Sequence, residues 1–136
     1  MKRSLFVFAL IISAGYGIAQ DIRATKLIWT VTGLSDLNTN KVSVYNCVFE
    51  TNGAQAIVWK QKNGAYATTF IVTQMVGTWA SVQANGQMVY SIALDGETGT
   101  LTFMRDATGA FITVDLSQPS GSRLKHRYSI GQVNTF

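Results

Sequence analysis

His126 is the only histidine of the chain and Cys47 the only cysteine. One imidazole and one thiol cannot complete a structural zinc site, and a multi-histidine metal centre is excluded. The two have the residue types of a nucleophile and its base. Cys47, however, alternates with Tyr45 and Phe49 inside an apolar run, the setting of a small buried side chain. No Gly-x-Ser-x-Gly elbow and no phosphate-cradling Gly-x-x-x-x-Gly-Lys stretch occurs. Asp95 and Glu97 could offer loop oxygens to a cation, but the run of ligands an EF-hand needs is missing. Solvated turn carboxylates are the better reading. The residues name no cofactor and no catalytic set, so the expectation leans away from an enzyme. A small hydrolase or isomerase using His126 is the remote alternative.

Two other patterns have the chemistry of binding. Near the C-terminus Arg123, Lys125 and Arg127 alternate with Leu124, His126 and Tyr128, which puts three cations on one face of a strand. Such a stripe suits an acidic head group, an acidic polysaccharide or a partner protein. It equally suits an edge strand that charge protects from aggregation, and this second reading is the favoured one. Trp29, Trp59 and Trp79 fall on separate candidate strands, and Tyr90 lies in another. Aromatic side chains lining a barrel could hold a small apolar or glycan-like ligand. Filling the core of a small domain is the more usual task of such residues.

The elements that would position these groups are strands. From Gln87 to Leu116, three runs rich in β-branched and aromatic residues are separated by Asp95-Gly96-Glu97-Thr98-Gly99 and Asp106-Ala107-Thr108-Gly109, which reads as an antiparallel meander. The same rhythm predicts strands over 24–32, 42–50, 54–62, 65–75 and 122–130, with a short one over 79–83. Asn63-Gly64 and Asn85-Gly86 are the two strongest hairpin signals. The segment 33–40 reads as a loop or a single helical turn, and 131–136 as a tail. The expected fold is all-β: an antiparallel meander of about eight or nine strands. A small barrel is favoured over a two-sheet sandwich, because closure removes exposed edges that no disulfide could protect.

Lys2 and Arg3, an almost unbroken apolar run from Ser4 through Ala14 and the small residues of Gly17-Ile18-Ala19 compose a secretory signal peptide. Residues 1–19 are expected to be cleaved, leaving 20–136 as a single β domain in the periplasm or outside the cell. The leader takes two cations with it, so the whole-chain formal charge of +4 falls to about +2. A balance this mild implies no nucleic acid partner, and no second long apolar segment is present to span a membrane as a helix.

Gly77-Thr78-Trp79 resembles the Gly-x-Trp motif of the lipocalins, and the strand count is similar to that of their eight-stranded barrel. In lipocalins the motif opens the first strand; here it follows several. The Arg-x-Tyr pair on the final strand of the fatty-acid-binding barrels has a different spacing from Arg127-Tyr128, which face opposite ways. No ligand residues are carried over from either family. The functional expectation is a non-enzymatic exported binding module that holds a small ligand or engages a partner. Its candidate ligand-binding residues are Trp29, Trp59, Trp79, Tyr90, Arg123, Lys125 and Arg127. The alternative is a structural or interaction protein of the cell envelope, bound through the basic last strand. Ligand identity and oligomeric state are open at this point.

Overall fold

A computed structural model describes residues 21–136; the expected signal peptide, residues 1–19, lies outside the described residues. Eight strands form one closed antiparallel barrel in simple sequence order. They are β1 (Lys26–Asp36), β2 (Lys41–Asn52), β3 (Ala56–Gln61), β4 (Tyr66–Val76), β5 (Gly86–Leu94), β6 (Glu97–Asp106), β7 (Gly109–Ser117) and β8 (Arg123–Thr135). Among the described residues the only helical piece is a 3-10 turn, Lys62–Gly64, and no helix is long and apolar enough to cross a membrane.

Alternation decides what is inside. Leu27, Trp29 and Val31 of β1, Cys47 and Phe49 of β2, Met88, Tyr90 and Ile92 of β5 and Ile112 and Val114 of β7 are all buried. Glu50, Lys60, Asp115 and Arg123 face outward, the reverse of the polarity of a lipid-facing barrel. Eight strands enclose about the volume that side chains can fill, and here Trp29, Phe49, Phe70, Phe103, Tyr90 and Tyr128 fill it.

Strand ends depart from the sequence reading where pairing overrides local propensity. β1 continues through Asp36, because Gly33–Asp36 pair with both Lys41–Val44 and His126–Ser129. β8 runs to Thr135 because the expected tail pairs with Leu27–Thr30. The ladder slips between Thr30 and Gly33, a bulge that sharpens the curl needed for closure. The β3–β4 connection takes positive φ at Lys62, Asn63 and Gly64 rather than at Asn63 and Gly64 alone. Asp95-Gly96 alone makes the β5–β6 turn, with both φ positive, and Glu97–Gly99 belong to β6.

The segment 79–83 is a loop instead of a strand. Its backbone groups find partners outside any ladder, and these interactions seal one end of the barrel. Arg23 donates to the Gly77 carbonyl at 2.6 Å through Nη2, and Arg105 Nε donates to the Val82 carbonyl at 2.8 Å. Trp79 Nε1 donates to the Ala84 carbonyl at 2.9 Å. Ile22, Trp79 and Val82 are buried by this plug. Gly86 is required beneath it, since a Cβ there would stand 2.0 Å from the Trp79 ring.

Closure also corrects the reading of the last strand. β8 pairs with β7 on one side and β1 on the other. It is not an edge, so its charge cannot serve as edge protection and the barrel offers no basic edge strand.

Candidate ligand-binding mouth of the barrel

The two ends of the barrel differ in chemistry. One is sealed by apolar packing, as described above. At the other, the β1–β2, β3–β4 and β7–β8 hairpins bring a partly buried polar set over the core. The β1–β8 pairing places Asp36 beside His126 and Leu34 beside Tyr128. His126 Nδ1 lies 3.3 Å from the Tyr128 hydroxyl, and Nε2 stands 4.0 Å from Asp36 Oδ2. The His126 side chain remains 21% exposed and that of Asp36 31%, so both are within reach of solvent. Across the mouth, the Tyr45 hydroxyl donates to Gln61 Oε1. The Tyr45 and Tyr128 rings are 6.0 Å apart. Leu34, Tyr45, Trp59 and Leu124 pack on the core and form the floor.

Local electrostatics follow from burial and turn geometry. Backbone N–H groups of Asn38 and Thr39 hold the Asp36 carboxyl below its usual range, with a smaller contribution from His126. Burial pushes the Tyr45 and Tyr128 phenols up, and Cys47 nearby adds to both shifts. Burial pushes the Cys47 thiol up to about 11 against a smaller opposing effect of Trp59. A thiol in that state is a neutral, inert packing group at physiological pH. Trp59 Nε1 is buried beside the Cys47 sulfur and, among the described residues, makes no hydrogen bond of regular geometry.

The seven residues expected to bind do not converge. Trp29 and Trp79 meet at the sealed end with ring centroids 5.8 Å apart. Trp59 lies with the mouth, its ring nearly parallel to Phe49 (5.6 Å) and Phe70 (6.4 Å). Tyr90 is buried against Phe103 at 5.2 Å, its hydroxyl without a hydrogen-bond partner among the described residues. On the outer face Asp115 accepts from Arg123 Nε at 2.8 Å and lies 4.0 Å from Lys125 Nζ. That cross-strand carboxylate offsets the repulsion expected among the three cations. Arg127 stacks on the Phe111 ring at 3.8 Å.

Sequence reasoning missed Asp36 and Tyr128 as neighbours of His126, and the Tyr45–Gln61 pair across the mouth. The shared face of His126 and Tyr128 was legible from alternation. Asp36 became their neighbour only through the long-range β1–β8 closure. A separate concavity of about 720 Å³ lies on the outer face of β1–β3, between Ile28, Thr30, Asn46, Glu50 and Lys60. Among the described residues no group of three or more His, Cys, Asp or Glu side chains could hold a metal ion. No family model, no curated protein and no solved structure matches the chain.

Proposed function

We propose that this protein is an exported, non-enzymatic binding module that takes a small, largely apolar ligand at the open mouth of its barrel. The contrast between the two ends carries the reading. One is closed by Ile22, Trp79 and Val82. The other presents Tyr45, Gln61, His126 and Asp36 over an aromatic floor, with His126 held only by long contacts to Tyr128 and Asp36. A few placed polar groups over apolar and aromatic side chains are the usual chemistry of a small-molecule site. Both faces of Trp59 lie against Phe49 and Phe70. Stacking of a sugar would therefore fall to Tyr45, which favours an apolar ligand with one or two polar groups over a glycan.

A catalytic use of His126 is not proposed. The phenol of Tyr128 is pushed up by burial, and the 4.0 Å gap to Asp36 exceeds the reach of a hydrogen bond that would orient the imidazole.

Titration with N-phenyl-1-naphthylamine, an uncharged apolar probe with one N–H, tests the mouth. Its emission is expected to rise on binding, and Tyr45→Ala with Gln61→Ala to weaken binding about tenfold, the worth of one or two such contacts. Methyl β-glucopyranoside is expected to compete poorly. Equal binding by the double variant, with its fold intact by circular dichroism, would place the site elsewhere. Export follows from the leader pattern at residues 2–19. N-terminal sequencing of protein recovered from outside the cytoplasm is expected to begin at Gln20; an intact Met1 there would refute cleavage.

A further inference from the structure

The barrel is closed by pairing, yet its β1–β2 hairpin stands taller than its neighbour. β3 pairs with Cys47–Thr51 of β2 and goes no further. Above that point the β3-facing edge of β2, from Lys41 to Asn46, meets no strand among the described residues. On the other side Lys41–Val44 pair regularly with Gly33–Asp36, and the register slip falls below them, between Val31 and Gly33. The stretch is thus a regular strand with one free edge. Its outward side chains are bare: Val42 is 79% exposed and Val44 85%, and polar Asn46 stands at the lower end. Natural sheets guard such edges with proline, bulges or charges along the strand. This stretch has no proline, and its only charge is Lys41, at one end.

We infer that this edge is a docking surface for a second copy of the same chain, through antiparallel β2–β2 pairing about a two-fold axis. The argument for a like partner is self-complementarity in pattern and charge. In a register centred on Ser43, Val42 lies opposite the partner's Val44 and Val44 opposite the partner's Val42. Four valines then form one apolar patch on the outer face, since antiparallel partners share a face. Lys41 falls opposite the partner's Tyr45, so the two lysines do not meet. An isologous contact of this kind closes at two copies. The paired segment is short and covers far less than the ~1,600 Å² of a standard interface, so the dimer is weak and concentration-dependent.

A second free edge exists on β4, where Tyr66–Phe70 lie above the pairing with β5 that begins at Ile71. Pairing of β2 with that edge would be head-to-tail and open-ended, which gives the test its alternative. Sedimentation equilibrium of residues 20–136 is expected to show monomer at roughly 10 µM and a dimer fraction growing toward 1 mM, as a small interface implies. Val42→Lys with Val44→Lys is expected to weaken association at least about tenfold by placing like charges across the pair. Both positions are largely solvent-exposed, and an unchanged circular dichroism spectrum would verify the fold. Ser43→Cys is expected to form a disulfide dimer under oxidised glutathione, each bond reducing one glutathione disulfide to two thiols. Cys47, buried and with its thiol pushed up to about 11, stays silent. Thr98→Cys, on β6, should remain uncrosslinked. Monomer at every concentration, growth beyond two copies, or association indifferent to the lysine pair would each overturn the inference.

Discussion

Trp29→Ala is expected to lower the stability of the barrel by about 4 kcal/mol, within the range for emptying a large aromatic site in a core. Trp29 is fully buried. Its ring lies 4.9 Å from Phe103, edge to face, and 5.8 Å from Trp79. Its Nε1 donates to Thr51 Oγ1 at 3.0 Å, and Thr51 is a fully buried polar residue of the core. Truncation therefore opens a cavity under the plug and leaves a buried hydroxyl without its donor. For a domain of this size the midpoint of thermal unfolding should fall by roughly 15 °C. Trp29→Phe separates the two causes. It keeps most of the ring contacts and loses the hydrogen bond, so a cost of about 1–2 kcal/mol is expected. Differential scanning calorimetry of both variants gives the comparison. A loss below 1 kcal/mol for Trp29→Ala would mean that the sealed end is not packed as described.

The second large effect is expected at Gly99. A Cβ built there would stand 2.2 Å from the Asp115 carbonyl oxygen and 2.8 Å from Leu116 Cα. Both are backbone atoms, so no side chain can swing aside. The β6–β7 ladder, which pairs Gly99 with Leu116, must open to admit even a methyl group. Gly99→Ala should cost about 3 kcal/mol, the upper part of the overpacking range. Gly121→Ala is the matched control. It has φ +84 and nothing within 4 Å of the added Cβ, so only the left-handed backbone is penalised, at about 1 kcal/mol. Urea unfolding of the two variants should therefore differ in midpoint with slopes alike. Equal losses would show that close strand approach at Gly99 does not constrain the barrel.

The fold class was legible because burial in a small barrel has period two. Leu27, Trp29 and Val31 announce one inward face, and Ile112, Val114 and Leu116 another. The break at 95–99 marked the β5–β6 hairpin, although Asp95-Gly96 alone turn it, whereas Asn85-Gly86 forms no two-residue hairpin, because Gly86 opens β5 after the plug loop. Strand ends were less legible. Gly33–Asp36 and Gly131–Thr135 have weak intrinsic preference and became strands through partners remote in sequence. Trp79 looked like a strand residue, but Arg23 and Arg105 tie its loop into a plug.

The candidate site was legible only in fragments. Tryptophans drew attention because large aromatics dominate binding surfaces, yet Trp29 and Trp79 hold the sealed end together. The polar set of the mouth comes from four different strands. Its members are ordinary residues singly, and only closure of the barrel makes Asp36 and His126 neighbours. The cations of β8 looked unbalanced because Asp115, their counter-ion, lies on the preceding strand at a register that local pattern does not specify.

The account turns on which end of the barrel receives a ligand, and the three indole N–H groups report on both. Trp59 lies beneath the mouth, whereas Trp29 and Trp79 are hydrogen-bonded to Thr51 and Ala84 at the plug. A ¹H–¹⁵N correlation spectrum recorded during titration with N-phenyl-1-naphthylamine is the direct measurement. The Trp59 indole signal is expected to move while those of Trp29 and Trp79 stay in place. Movement of Trp29 or Trp79 with Trp59 unchanged, or no movement of any indole signal at saturating probe, would contradict the account.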